Sequence, residues 1–281
     1  MKAAPFAYSR PSTLDDAVTE LAASGGRGKV IAGGQSLVPM LAMRLARPDL
    51  LVDINGIAEL GRVDRAPDGF VEIGATVRQR AVEHDPVSSE VPLLGLALPW
   101  VGHRELRSRG TVVGSLAHAD PAAELPAVAC CLDATLVVAG RSGPRRVSAR
   151  DFYTGAMTTA LAADEVLIAV RLPVARAGEG FGLAEIARRH GDFALAGVAV
   201  HVRGGRVTLT GFGISDRPVT RTVAADDLGP DLFDSMVDTE GDAHASHGYR
   251  RRLFRVLAQR ETGRALGRAL RQAEASGHDG G

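Results

Sequence analysis

Cysteine is scarce in this chain: Cys130 and Cys131, side by side in an apolar run, are the only two in 281 residues. Sequence neighbours rarely reach disulfide geometry. No CxxC or Cys/His spacing is present, so the chain by itself has no ligand set for an iron–sulfur cluster or a structural zinc. The two thiols read as small buried apolar groups. Lysine is nearly absent as well: Lys2 and Lys29 stand alone, and arginine supplies the rest of the basic charge. The formal net charge is +0, which excludes a general electrostatic partner such as a nucleic acid or a membrane surface. No run reaches about 18 apolar residues, and MKAAPFAYSRPSTLDDA has no apolar signal core. The expected protein is cytoplasmic, without an integral membrane segment.

What is present is an ordinary globular composition, 45% apolar, in a chain long enough for two or three compact units. RPSTLDDAVTELAASGG reads as a helix with its stops: Ser12 or Thr13 caps it, Asp15 and Asp16 sit in the positive first turn, and Gly25–Gly26 end it. KVIAGG is a strand entering a turn. LVPMLAMRLARP has helical spacing, with Leu37, Met40, Leu41 and Leu45 on one face and Pro48 as the stop. DLLVDINGI is a strand ending at Asn55–Gly56, which completes a β-α-β unit. Further on, the pattern predicts a strand in GFVEIGA, helices over about 76–84 and 91–101, and a helix in PAAELPAVACCLDA. Strands follow in TLVVAG and in DEVLIAVRLP, which stops at Pro173. The Gly-rich VARAGEG marks a boundary. Beyond it come GLAEIA, a hairpin about Gly204–Gly205, a polar stretch over 224–246 with no clear pattern, a long helix from about Tyr249 to Ala273, and a frayed tail, ASGHDGG.

Two stretches of small residues could carry chemistry. Ala32–Ser36 lies between a strand and a helix, and its glycines let the backbone approach a ligand. Free N–H groups at the helix start, with Ser36 beside them, suit an anion such as a pyrophosphate. The same residues also suit a plain connecting turn, and neither GxGxxG nor GxxxxGK[ST] is present. RGTVVGSLAHADPAAELP repeats the theme with Gly110, Thr111, Gly114 and Ser115. His118 and Asp120 follow, read equally as turn and capping groups. Pro121 fits a first helical turn, and Glu124 could meet a ribose hydroxyl. A metal at His118 and Asp120 lacks a third ligand. A serine triad at Ser115 lacks the GxSxG elbow.

Together these segments resemble the FAD-binding medium subunit of the molybdenum hydroxylases, the xanthine dehydrogenase and aerobic carbon monoxide dehydrogenase family. FAYSRPSTLDDAVTEL, AGGQSLVPMLAMRLARPDLLVDI, IGAT, RGTVVGSLAHADPAAELPA and RRHGDFALAGVAV occur in that order across nearly the whole chain. The resemblance implies an α+β fold: an FAD-binding domain of two α/β subdomains (PCMH-type), 1–57 and 58–175, followed by a C-terminal α+β domain, 176–281. It implies FAD contacts at Ala32, Gly33, Gly34, Gln35, Ser36 and Leu37, at Thr76 of IGAT, and at Thr111, Gly114, Ser115, His118 and Glu124. Ile168, Asp192 and Phe193 would lie near the flavin ring.

Two positions depart from the family pattern. Val113 stands where the second loop usually has its first glycine, which would strain the backbone if that site needed a positive φ. Glu185 stands near a lysine of many relatives, with Arg188 and Arg189 as substitute charge.

The resemblance also implies partners: a small subunit holding [2Fe-2S] clusters and a large subunit holding the molybdenum cofactor, assembled as a dimer of heterotrimers. FAD would link one-electron clusters to a quinone, NAD or another acceptor, with no proton-transfer residue required. HRELRSRGT would lie near the flavin, its arginines facing either the cluster subunit or solvent. The membrane would be met only through the complex. Rival readings are a stand-alone flavin oxidoreductase, a flavinless module of the same fold, and a NAD-binding domain, the last opposed by the missing fingerprint.

Overall fold

Three short strands open the fold: β1 (Ala7–Ser9), β2 (Gly28–Ile31) and β3 (Leu50–Asp53). They run parallel in the order β1-β3-β2, and Ile31 pairs with Asp53. Residues 32–36 and 54–56 therefore leave the sheet from one edge, the carboxyl edge, where open parallel sheets take their ligands. The computed structural model describes residues 2–278, with side chains through Glu274. The helix Leu14–Ala23 is capped by Thr13, whose Oγ1 accepts from the Asp16 N–H at 3.2 Å. Gly25 and Gly26, at φ +60 and +83, end it. The next helix is shorter than its spacing predicts, Leu37–Ala42. Arg44 turns left-handed at φ 59, so Leu45 is 70% exposed instead of joining Leu41 inside.

A second sheet follows, built from β4 (Val63–Ala66), β5 (Phe70–Gly74), β6 (Thr135–Gly140) and β7 (Gly143–Ser148). After a ribbon of β8 (Tyr153–Gly155) and β9 (Thr158–Thr159), β10 (Val166–Pro173) returns to its centre. The order is β4-β5-β10-β6-β7, all antiparallel.

Three predicted helices begin or end elsewhere. The helix expected from 76 starts at Gln79, because Thr76 donates its N–H to the Leu60 carbonyl at 3.0 Å and Arg78 bridges to Thr111. The helix over 91–101 is Pro92–Ala97 with a tight turn at Leu98–Trp100. Pro99 has no N–H to continue it. The next starts at Glu124, not Pro121: Asp120 Oδ1 takes the Ala122 N–H at 2.8 Å and holds that stretch as a turn.

The third sheet is antiparallel, β11 (Gly180–Ala187), β12 (Ala194–Arg203), β13 (Arg206–Phe212) and β14 (Val219–Ala224) in sequential order. Gly204 and Gly205, both with positive φ, make the predicted hairpin. Strand alternation divides its burial. Ala184, Ala196, Val198 and Val200 face the long helix His247–His278, while Phe181, Leu183 and Ala199 join the core of the second sheet. The polar stretch after β14 holds the helix Pro230–Ser235, anchored by buried Phe233 and Met236. Of the expected frayed tail, 279–281 lie outside the described residues.

Candidate cofactor site

The first small-residue loop leaves β2 with Gly34 at φ +73. The backbone N–H groups of Gly33, Gly34, Gln35 and Ser36 find no acceptor among the described residues. Gln35 folds back, donating Nε2 to the Gly33 carbonyl at 3.3 Å. Ser36 is exposed and makes no cap with its hydroxyl. Leu37 begins a helix of only six residues, so the open N–H run, not a long dipole, is the feature of this loop.

The second loop packs directly on the first. A Cβ on Gly33 would stand 2.4 Å from the Arg109 carbonyl oxygen and 2.8 Å from Gly110 Cα, so only glycine allows this approach. Thr111 is buried, and its Oγ1 accepts the Gly114 N–H at 3.0 Å, capping the helix Val112–His118. The Thr111 N–H has no acceptor among the described residues. Val113 carries no strain: it is helical, 1% exposed, and packs with Val112 and Leu116 in the core. The left-handed residue comes later, at Ala119, φ 55, where the helix ends. Ser115 and His118 lie half-buried on this helix.

A hydrogen-bonded relay that the sequence reading missed joins the two loops. Arg78 donates through Nη1 to the Arg109 carbonyl and through Nη2 to Asn55 Oδ1, both at 2.7 Å. Asn55 Nδ2 donates to the Ala32 carbonyl at 2.8 Å and to Asp53, which also accepts from Tyr8. Arg78 is half-buried, and burial followed by the nearby Arg109 charge lowers its pKa. It makes no ion pair among the described residues. Gln79 adds a further tie: its N–H reaches the Gly110 carbonyl at 2.9 Å and its Nε2 the Thr111 carbonyl at 3.3 Å. The signal for Asn55 was present in the sequence as a turn at the strand's end; for Arg78 there was none.

The remaining candidates divide into groups. Ile168 meets the residue before Thr76, the Ala75 N–H donating to the Ile168 carbonyl at 2.8 Å where β10 bulges, while Thr76 itself is held by Leu60. Glu124 and Glu185 are both buried at 7% exposure, and Glu185 Oε2 has no hydrogen-bond partner. Burial, with Asp120 adding, pushes Glu124 up to about 7. Burial, with Glu124 adding, pushes Glu185 up to about 8. Asp192 and Phe193 sit on a separate loop seated on His103, whose ring occupies the place of any Cβ on Gly191. Phe193 is 71% exposed, and no hydrogen bond links this loop to the glycine loops among the described residues.

Of the arginines in HRELRSRGT, Arg107 points inward. It is 7% exposed, fastened to Glu83 at 3.1 and 3.2 Å and to the Val101 and Gly102 carbonyls. Arg188, expected to supply charge, pairs with Asp192 at 4.0 Å and approaches His244. The thiols of Cys130 and Cys131 are buried, and burial pushes each up to about 12. Among the described residues, no group of three or more His, Cys, Asp or Glu side chains could hold a metal ion, and no helix is long and apolar enough to cross a membrane.

Two opposed small-residue loops with open N–H groups, beside a cation without an ion pair among the described residues, suit an anionic ligand. Comparison with known proteins identifies which. Residues 4–175 match the family model described as the FAD binding domain in molybdopterin dehydrogenase. The chain is 34% identical to the 6-hydroxypseudooxynicotine dehydrogenase complex subunit alpha of Paenarthrobacter nicotinovorans, covering 99% of this chain and 100% of that protein. It is 32% identical to the carbon monoxide dehydrogenase medium chain of Afipia carboxidovorans, over 94% and 98%. The structure of carbon monoxide dehydrogenase from Hydrogenophaga pseudoflava superposes with a TM-score of 0.90 at 28% identity, covering 95% of this chain and 99% of that one. The chain therefore belongs to the FAD-binding medium subunits of the molybdenum hydroxylases.

Proposed function

We propose that the two glycine loops grip the FAD diphosphate between them, and that the chain serves as the electron-transfer flavoprotein of a larger complex. The observation that carries the reading is the run of four acceptorless N–H groups, Gly33 to Ser36, packed against Arg109–Gly110. On this reading Thr111, Gly114 and Ser115 line the opposite wall, and Leu37 closes the loop's far end. Glu124 and His118 lie on the adenosine side. Thr76, Ile168, Asp192 and Phe193 flank the flavin ring, with Ala32 at the strand exit.

When bound, FAD supplies exchange of one or two electrons, which suits it to link iron–sulfur clusters to a two-electron acceptor. The chain's own residues bind and orient the cofactor and leave one edge open. None of them has to move a proton. We assign the division 1–57, 58–175 and 176–281 to the three sheets and what packs on them. The names of the relatives, medium chain and complex subunit alpha, support a heteromeric assembly. We propose a small [2Fe-2S] subunit and a large molybdopterin subunit as the partners, paired as a dimer of heterotrimers, in the cytoplasm.

Gly33→Ala tests the reading. The added methyl meets a backbone carbonyl that cannot step aside, so FAD affinity measured by flavin fluorescence falls roughly tenfold or more while far-UV circular dichroism stays intact. Unchanged FAD affinity contradicts the proposed grip.

A further inference from the structure

We propose that Arg78 and Asn55 act as one relay that sets the cradle: Arg78 ties the two loops together and presents the cation that the diphosphate neutralises. The inference rests on the two-loop reading of the FAD site and deepens it by naming the residues that position both walls.

The geometry is specific. A trans peptide is planar, and its C=O and N–H point to opposite sides. The Ala32 carbonyl is held by Asn55 Nδ2 at 2.8 Å. That bond fixes the direction of the Gly33 N–H, the first of the acceptorless run. The Arg109 carbonyl, the atom on which Gly33 rests, is held by Arg78 Nη1 at 2.7 Å. Arg78 Nη2 closes the circuit on Asn55 Oδ1 at 2.7 Å. One guanidinium and one amide therefore connect the exit of β2, the turn after β3, the residue before the helix Gln79–His84, and the second loop. Lysine could not reproduce this, since it lacks the planar fork that reaches two acceptors at fixed angles.

Charge gives the second, independent argument. Cations are almost never fully buried unless paired, and partial burial costs in the same direction. Arg10 and the more deeply buried Arg107 each have a carboxylate within ion-pair distance, Asp53 and Glu83 respectively, whereas Arg109, whose charge acts on Arg78, has none among the described residues. Arg78 has none among the described residues, and its two bonded acceptors are neutral. Asp53 lies near enough to favour its charge, yet Asp53 is already engaged by Tyr8, Asn55 and Arg10. These two bonds leave three of the five guanidinium N–H donors for a ligand. A diphosphate between the loops supplies the missing anion.

The test uses the full chain, with FAD and riboflavin as probes. Arg78→Met, Asn55→Ala and the double variant are each titrated by flavin fluorescence, and amide exchange of residues 32–36 and 109–111 is followed without flavin. Each single variant is expected to raise the FAD Kd roughly 10- to 100-fold, the range for losing one or two bonds to a charged donor. The double variant should be no more than about twofold worse than the poorer single, because the pair acts as a unit. Riboflavin, which has no phosphate, should be unaffected, and exchange in both loops should quicken. Arg78→Lys should leave the loop exchange fast. Multiplying fold-changes, an equal loss for riboflavin, or unaltered loop exchange would each overturn the relay. If the wild-type chain takes up no FAD, the two-loop reading fails, and the flavin-free exchange still decides the relay by itself. Should Arg78→Met not fold, Arg78→Gln is measured in its place.

Discussion

A single residue can show how far the family pattern carries and where this chain departs from it. Val113 stands where the family resemblance leads one to expect glycine, yet it lies in a helix with its side chain in the core. A glycine here should harm the protein: Val113→Gly forfeits only a few tenths of a kcal/mol of helix propensity, valine being itself a weak helix former, but about 1.5–3 kcal/mol of apolar burial. A higher melting temperature for the variant would show that the valine is strained after all. Glu185 is the other departure, and it titrates where it matters. Glu124 and Glu185 have folded pKa values of about 7 and about 8, above their ordinary value, because burial disfavours the charged form. The stability they contribute is therefore complete below the unfolded carboxylate pKa and is lost as pH rises through 7 to 8. Glu185→Gln removes one of these ionisations. It should melt above the wild type at pH 9 and no higher than it at pH 5. A difference that does not change with pH would mean that Glu185 is not buried.

At the scale of elements, most of the fold was legible because strands and turns here announce themselves. KVI, LLV, VLIAV and the Gly204–Gly205 hairpin combine β-branched runs with positive-φ glycines, and all fall where the pattern puts them. Helix starts were misread where tertiary contacts hold a helix-compatible run extended. Residues 76–78 are the clearest case, pinned by Leu60 and Thr111 through bonds no local window contains. Leu45 failed for a different reason, a left-handed Arg44 that ends the helix one turn early. The candidate loops were legible as small-residue stretches, but their mutual contact was not. Neither Arg78 nor Gly33's dependence on Arg109 can be seen without the fold.

Packing of the long C-terminal helix follows the same logic. A Cβ on Gly180 would stand 2.0 Å from the Ala265 carbonyl oxygen, and one on Gly182 2.9 Å from that of Glu261. Gly180→Val should lower the melting temperature by loosening that helix from β11, with the loss seen as faster amide exchange over 257–269. Protection equal to the wild type would mean that the helix is held elsewhere.

For the whole molecule, the three sheets converge on one boundary. The carboxyl edge of the parallel sheet delivers one loop, the start of the helix Val112–His118 carries the second, and the third sheet turns Glu185 toward Glu124 at the start of the next helix. The central claim is that the cradle grips a diphosphate. Its most direct measurement is a comparative titration of the purified, flavin-free chain with FAD, FMN and riboflavin, read by flavin absorption and fluorescence. Saturable one-to-one binding, with FAD favoured over FMN by roughly tenfold or more, is the predicted result. Equal affinity for all three, or a fully folded chain that takes up none of them, would contradict it.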